Sequence, residues 1–125
     1  MHIRIKRVYE AAEVTDGCCI LVDRLWPGGI SRDSAKPDYW AKEVAPSNEL
    51  RKWYQHEAAS WDEFKRRYLK EIHLKPETRE LSQHCTANDV VTFLFSTKEM
   101  MLNNAVALKE YVEQECRRRN KLSGG

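Results

Sequence analysis

The chain has 125 residues, with 21 lysines and arginines against 19 acidic residues and a formal charge of +2. That length suits one domain, able to bury roughly two-thirds of its unfolded surface. The even charge gives no case by itself for a nucleic-acid or anionic-membrane partner, and 32% charged with 10% aromatic residues describes a folding chain rather than a disordered one.

The opening MHIRIKRVYE has no apolar core and no small-residue cleavage site, so no secretory signal is expected. No apolar run reaches the length of a membrane span. The cysteines Cys18, Cys19, Cys85 and Cys116 show no C-x-x-C spacing, and His2, His56, His73 and His84 are scattered. These spacings predict no metal site and reduced thiols, as in a cytoplasmic protein.

In residues 2–9, Ile3 and Ile5 alternate with Arg4 and Lys6, the period of a half-exposed strand. Thr15-Asp16-Gly17 signals a turn. Cys18 to Val22 is then an unbroken apolar run, which suggests a strand buried on both faces. The short link between these strands leaves two options, antiparallel pairing or no direct pairing. Asp23-Arg24, Leu25-Trp26-Pro27 and Gly28-Gly29 follow at the carboxyl end of the second strand. In open α/β sheets that end is where ligands bind.

Ser31 to Lys36 reads as a polar loop. Asp38 reads as the N-cap of a short helix carrying Trp40 and Val44, ended at Ala45 by Pro46. Ser47 caps a second helix with Leu50, Trp53 and Tyr54 on one face. Ser60-Trp61-Asp62-Glu63 is a capping-box pattern opening a third, with Phe64, Tyr68, Leu69 and Ile72 at helical spacing. Pro76 suits the first turn of a fourth helix reaching about His84. Val90 to Phe95 is a second buried strand tipped by Ser96-Thr97-Lys98, and a last helix runs from about Asn103 to Arg118. Residues 122–125 read as a frayed tail. The long helical excursion between two buried strands predicts a crossover and parallel strands. The expected fold is a small three-layer α/β domain over residues 1–125, its mostly parallel sheet covered by helices on both faces.

Three polar tips should therefore converge at one end of the sheet. Asp23 and Arg24 can pair, leaving guanidinium donors for a carboxylate or phosphate; a salt bridge that merely anchors the loop is the plainer option. Gly28 and Gly29 can form a backbone nest for an anion, or an ordinary turn. Lys98 and Asn103 can supply a charge and a helix start, or Asn103 can be a plain N-cap. Trp26, Trp40 and Trp53 can wall the cleft or pack as core. Asp23 and His56 are the candidates for acid or base work. Arg24→Ala is expected to weaken ligand binding more than the fold.

At DGCCILVDRLWPGG the chain resembles the YeaO-like family of conserved proteins, a family defined by a domain of unknown function. The likeness continues through IKRVYE at 5–10, D-x-W-x-K-E at 38–43, APS-x-ELRKW at 45–53, His56, W-x-EF-x-x-RY at 61–68, VTFLFSTK at 91–98 and Asn103-x-Ala105. It implies a small α/β domain of prokaryotic, cytoplasmic type and brings no activity or cofactor with it. Similar proteins usually carry arginine where this chain has Gly28, a histidine beside the asparagine, and often a tyrosine-arginine pair near Cys18-Cys19.

Two functions remain open at this level. One is a small-molecule enzyme or binding protein, with a phosphate ester, nucleotide or carboxylate held by Arg24, Trp26, Gly28, Gly29, Lys98 and Asn103. The other is a non-enzymatic nucleic-acid-binding or regulatory module using the basic segments 65–70 and 117–121. No helix-turn-helix pattern supports the second.

Overall fold

The structure, a computed structural model, describes residues 1–123, and of residues 34, 35 and 120–123 the backbone alone. Four strands, β1 (His2–Arg7), β2 (Cys18–Leu21), β3 (Tyr39–Trp40) and β4 (Val90–Phe95), form one parallel sheet in the order β1-β4-β2-β3. The first two strands do not pair, because β4 lies between them. The apolar run Val90–Phe95 is thus the central strand, and five of its six residues are buried. That placement accounts for its lack of a polar period.

The register sorts the side chains onto two faces. Ile3, Val91 and Cys18 share one face with Ile5, Phe93, Ile20 and Tyr39. The longer helices cover it: α2 (Asn48–Trp53), α3 (Trp61–Ile72), α4 (Pro76–Thr86) and α5 (Asn104–Ser123). Phe64, Tyr68, Ile72, Leu81, Leu108 and Val112 close the core against Ile20, Phe93 and Phe95, all with at most 2% of their surface exposed. Tyr68 donates its hydroxyl to Val44 O at 2.6 Å, which satisfies its polar atom inside the core.

The opposite face has a thinner cover. Leu21 and Leu94 pack with Val8, Trp26, Ile30 and Trp40, under a loop that includes the one-turn α1 (Arg32–Ala35). Further along, a 3₁₀ turn at Val14–Asp16 lies over Thr92, whose hydroxyl donates to Asp16 O at 2.6 Å. Lys6 Nζ meets Asp16 Oδ2 at 2.9 Å. Burial pushes the Asp16 carboxyl up, but the Glu13 N–H and the Lys6 ammonium outweigh it and hold Asp16 below the ordinary range.

Three local expectations change. The helix expected after Asp38 is instead β3 followed by a 3₁₀ turn at Lys42–Val44. Asp38 is tied to β2: its N–H donates to Cys19 O, and its Oδ2 accepts the Cys19 N–H, both at 2.8 Å. The aromatic pair Tyr39-Trp40 then adds to the sheet edge, which suits its β preference. Residues expected to be a plain polar loop contain α1. The capping box at Ser60 does not form. A 3₁₀ turn at Ala58–Ser60 leads straight into α3, so Ser60 has near-helical dihedrals and makes no capping bond, and Glu63 turns to Arg66 and Arg67 instead. Ser47 does cap α2, accepting the Leu50 N–H at 3.1 Å. The expected frayed tail overlaps the end of α5 at Ser123, and Gly124 and Gly125 lie outside the described residues. No helix among the described residues is long and apolar enough to cross a membrane.

Candidate functional site

A cleft of about 800 Å³ opens at the carboxyl ends of the strands, lined by residues from the 23–28 loop, α2 and its flanks, the tip of β4 and the start of α5. Asp23 and Arg24 both line it, but they do not pair. Asp23 Oδ2 accepts the Ser96 N–H at 3.0 Å and the Ser96 hydroxyl at 2.6 Å, and its Oδ1 accepts the Asn104 amide at 3.2 Å. With β4 and α5 this close, the carboxylate is met by neutral donors from neighbouring elements. Arg24 reaches the other way. Its Nε donates to Pro46 O and its Nη2 to Ala45 O, each at 3.0 Å. These carbonyls follow a 3₁₀ turn and accept no other hydrogen bond among the described residues.

The expectation for Arg24→Ala is therefore revised. Hydrogen bonds from a charged donor contribute about 1.5–3 kcal/mol each. With two such bonds on a half-buried side chain, Arg24→Ala should lose about 2–3 kcal/mol in urea unfolding. An unchanged midpoint would rule out the clamp.

Trp26 forms one wall. Its indole N–H donates to Ile30 O at 2.7 Å, and Trp40 meets it edge-on, with ring centres 5.5 Å apart. The Arg32 guanidinium lies 5.1 Å from the Trp26 ring. Trp40 donates its indole N–H to Asp23 O at 2.8 Å and packs behind the cleft rather than in it. Trp53 is exposed, with Arg67 stacked at 4.2 Å. Gly28 lines the cleft, and its carbonyl accepts the Tyr9 hydroxyl at 2.8 Å; Gly29 lies outside the lining.

His56 stands on the rim in a left-handed conformation, φ 59°, a strain that clusters at functional positions. Its Nδ1 is 3.1 Å from Leu102 O, which also accepts the Tyr54 hydroxyl at 2.8 Å. Burial, with the charge of Glu99 nearby, pushes the Tyr54 hydroxyl up to about 12, so it stays a donor at neutral pH.

Besides Gly29, two further expected site residues lie elsewhere. Lys98 is exposed and off the cleft lining. Asn103 is fully buried: its Oδ1 accepts the Val106 N–H at 3.0 Å and its Nδ2 donates to Glu99 O at 2.7 Å. It is the N-cap of α5, and the next residue, Asn104, reaches the cleft. Two cations escaped the sequence reading. Arg51 and Lys52, in the last turn of α2, line the cleft and are exposed. Among the described residues the Arg51 guanidinium bonds only to Asn48 Oδ1, at 3.4 Å. Lys52 has no hydrogen-bond or ionic partner among the described residues. Their signal in the sequence was the adjacent pair in APSNELRKW, which looks like ordinary helix-end charge.

The cleft thus carries Arg24, Arg51, Lys52 and His56 against one carboxylate, Asp23. No cysteine lines it. Burial raises all four thiols, Cys85 to about 12. No group of three or more His, Cys, Asp or Glu side chains that could hold a metal occurs among the described residues.

The basic segments of the second reading are partly neutralised. Lys65 pairs with Glu110 at 3.3 Å, Arg118 with Glu115 at 3.3 Å, and Glu63 takes both Arg66 and Arg67. The side chain of Lys121 lies outside the described residues. The Arg66 and Arg67 hydrogen bonds hold the Glu63 carboxyl down from its ordinary 4.5 to about 2. A depressed carboxyl stabilises the folded chain above its unfolded value and loses that contribution as pH falls through the folded one. Glu63→Gln should therefore lower the melting temperature at pH 7 and bring it level with wild type near pH 2. Added salt should shrink the difference, because the group is exposed.

The family model described as "Inactive DUF488-N3 subclade" matches residues 2–124. The uncharacterized protein Rv3073c of Mycobacterium tuberculosis (strain ATCC 25618 / H37Rv) is 41% identical over 109 residues, covering 87% of this chain and 92% of that protein. The uncharacterized protein YeaO of Escherichia coli (strain K12) is 38% identical over 112 residues, covering 90% of this chain and 97% of that protein. No solved structure matches the chain.

Proposed function

The chain belongs to the YeaO-like family described as the inactive DUF488-N3 subclade, and from that premise we propose that it binds a small anionic ligand in the strand-end cleft without turning it over. The observation that carries this reading is the charge balance of the lining. Arg51 and Lys52 open onto the cleft without an ionic partner, and the only carboxylate there is already spent on Ser96 and Asn104. A positive concavity with low-dielectric walls concentrates anions. Proton-transfer chemistry has less support. Asp23 is engaged by three donors, and the Nδ1 of His56 faces Leu102 O rather than a carboxylate oxygen. The word "inactive" in the family description points the same way. The ligand class is a phosphate ester, a nucleotide or a carboxylate.

The test is thermal unfolding with inorganic phosphate, ribose 5-phosphate, AMP and citrate, on wild type and on the double variant Arg51→Ala/Lys52→Ala. A ligand at 100 times its Kd adds about 2.7 kcal/mol of stability. Wild type should shift with at least one of these anions. The double variant should lose the shift while its ligand-free stability stays within about 0.5 kcal/mol of wild type, because both residues are exposed. Equal shifts in both proteins, or none in wild type, would overturn the reading.

A further inference from the structure

We infer that the anion bound in this cleft carries a planar ring, which lies on the indole of Trp26, so that the ligand class is a nucleoside phosphate or a similar ring-bearing phosphate rather than a bare oxyanion. This rests on the anion reading above. Three features of the cleft lead to it. The first is size. Its volume of about 800 Å³ lies in the range of sites for drug-sized ligands, roughly 300–1,000 Å³, far more than phosphate alone requires.

The second is the state of Trp26. Its only polar atom is already bonded to Ile30 O, and Trp40 and Arg32 hold the ring from residues that do not line the cleft. Trp26 also packs against Leu21 and Leu94, so what it offers the cleft is apolar indole surface and no donor. An indole presented this way is a stacking platform, and stacking tolerates any base because every base has a π-face. Gly28, two residues on in the same lining, borders open space, since a Cβ built on it meets nothing within 4 Å. The third feature is the distribution of polar groups. The cations Arg51 and Lys52 come from α2, while the ends of β4 and α5 bring no cation to the cleft: the Ser96 and Asn104 donors are taken up by Asp23, which leaves the Thr97 hydroxyl as the neutral donor there. That separation suits a ligand with a charged end and a neutral, hydrogen-bonding body.

Binding of AMP, UMP, ribose 5-phosphate and adenosine to the full chain, measured by calorimetry, tests this. In wild type, AMP or UMP should bind at least tenfold tighter than ribose 5-phosphate. Trp26→Leu should bring the nucleotides down to within about twofold of ribose 5-phosphate measured on the same variant, with cooperative urea unfolding reporting that the variant is folded. Trp26→Phe should retain most of the preference. Arg51→Ala/Lys52→Ala should weaken both classes of phosphate alike. Equal affinities in wild type, or a nucleotide preference that survives in Trp26→Leu, would overturn the ring while leaving the anion reading intact. Adenosine binding as tightly as AMP would overturn the anion reading and keep the platform. Binding of none of the four would overturn both.

Discussion

Gly17→Ala should cost this protein about 4 kcal/mol or more, the largest loss expected from any single methyl group in the chain. Gly17 joins the 3₁₀ turn at Val14–Asp16 to β2 with φ 64°, a region that L side chains rarely adopt. That conformation alone costs roughly 1–2 kcal/mol for alanine. The second cost is contact. A Cβ at position 17 would stand 2.2 Å from Val90 O, a backbone atom at the start of the central strand. No rotamer relieves a clash with a carbonyl, so β2 and β4 would have to separate where Cys18 pairs with Val91. Pairing is held nearby by the Thr92 hydroxyl on Asp16 O, so the shift would spread into the buried face of the sheet. For a domain near this size, a 4 kcal/mol loss lowers the melting temperature by roughly 12–20 °C. Gly28→Ala is the internal control, because nothing lies within 4 Å of its added Cβ and its φ is not positive. It should stay within about 0.5 kcal/mol of wild type. A Gly17→Ala protein that unfolds within 1 kcal/mol of wild type would mean that the turn relaxes away from Val90.

The main strands were legible for a definite reason. A strand buried on both faces has no polar period, and Cys18–Val22 and Val90–Phe95 are the two runs with that character. The long helical excursion between them implied a crossover, and a crossover implies parallel strands. The two-residue β3 was not legible. Tyr39 and Trp40 carry no period of their own, and their conformation is decided by bonds from Asp38 and Ala41 to β2. The Ser60 capping pattern misled because the preceding 3₁₀ turn takes the residue out of the extended conformation a cap needs.

The location of the cleft was legible, and its internal partners were not. Asp23 and Arg24 follow a buried strand, so their place at its carboxyl end follows from topology. Who bonds whom depends on which neighbours the crossovers bring alongside. Residues 23 and 96 are 73 apart in sequence, and residues 23 and 104 are 81 apart. No local pattern carries that information. The Asn103-Asn104 pair shows the limit: one residue faces the core and caps α5, its neighbour faces the cleft, and a shift of a single residue exchanges the two roles.

Asp23→Ala should lose about 3 kcal/mol, and Asp23→Asn nearly as much. The carboxylate ties the ends of β2 and β4 to the first residue of α5, accepting two bonds from Ser96 and one from Asn104. Asn104 also donates to Val22 O at 3.0 Å, and Trp40 closes on Asp23 O. Bonds to a charged acceptor contribute about 1.5–3 kcal/mol when made, and a donor left without its partner pays for its desolvation. Partial solvent access at this cleft-lining residue keeps the expected total near the lower end of the sum. The amide variant is the more telling of the two. Asparagine keeps the shape but has one acceptor oxygen where aspartate has two. Whichever way the amide turns, its NH₂ faces a donor, either the Ser96 N–H or the Asn104 amide. An aspartate serving only as a general base would give the opposite pattern, a stable Asp23→Asn protein with its fold untouched. Urea unfolding of the two variants at pH 7 separates these cases. A loss of about 2–3 kcal/mol in Asp23→Asn assigns the carboxylate to holding the cleft together. An Asp23→Asn protein within 0.5 kcal/mol of wild type would remove that role and return Asp23 to the candidates for chemistry.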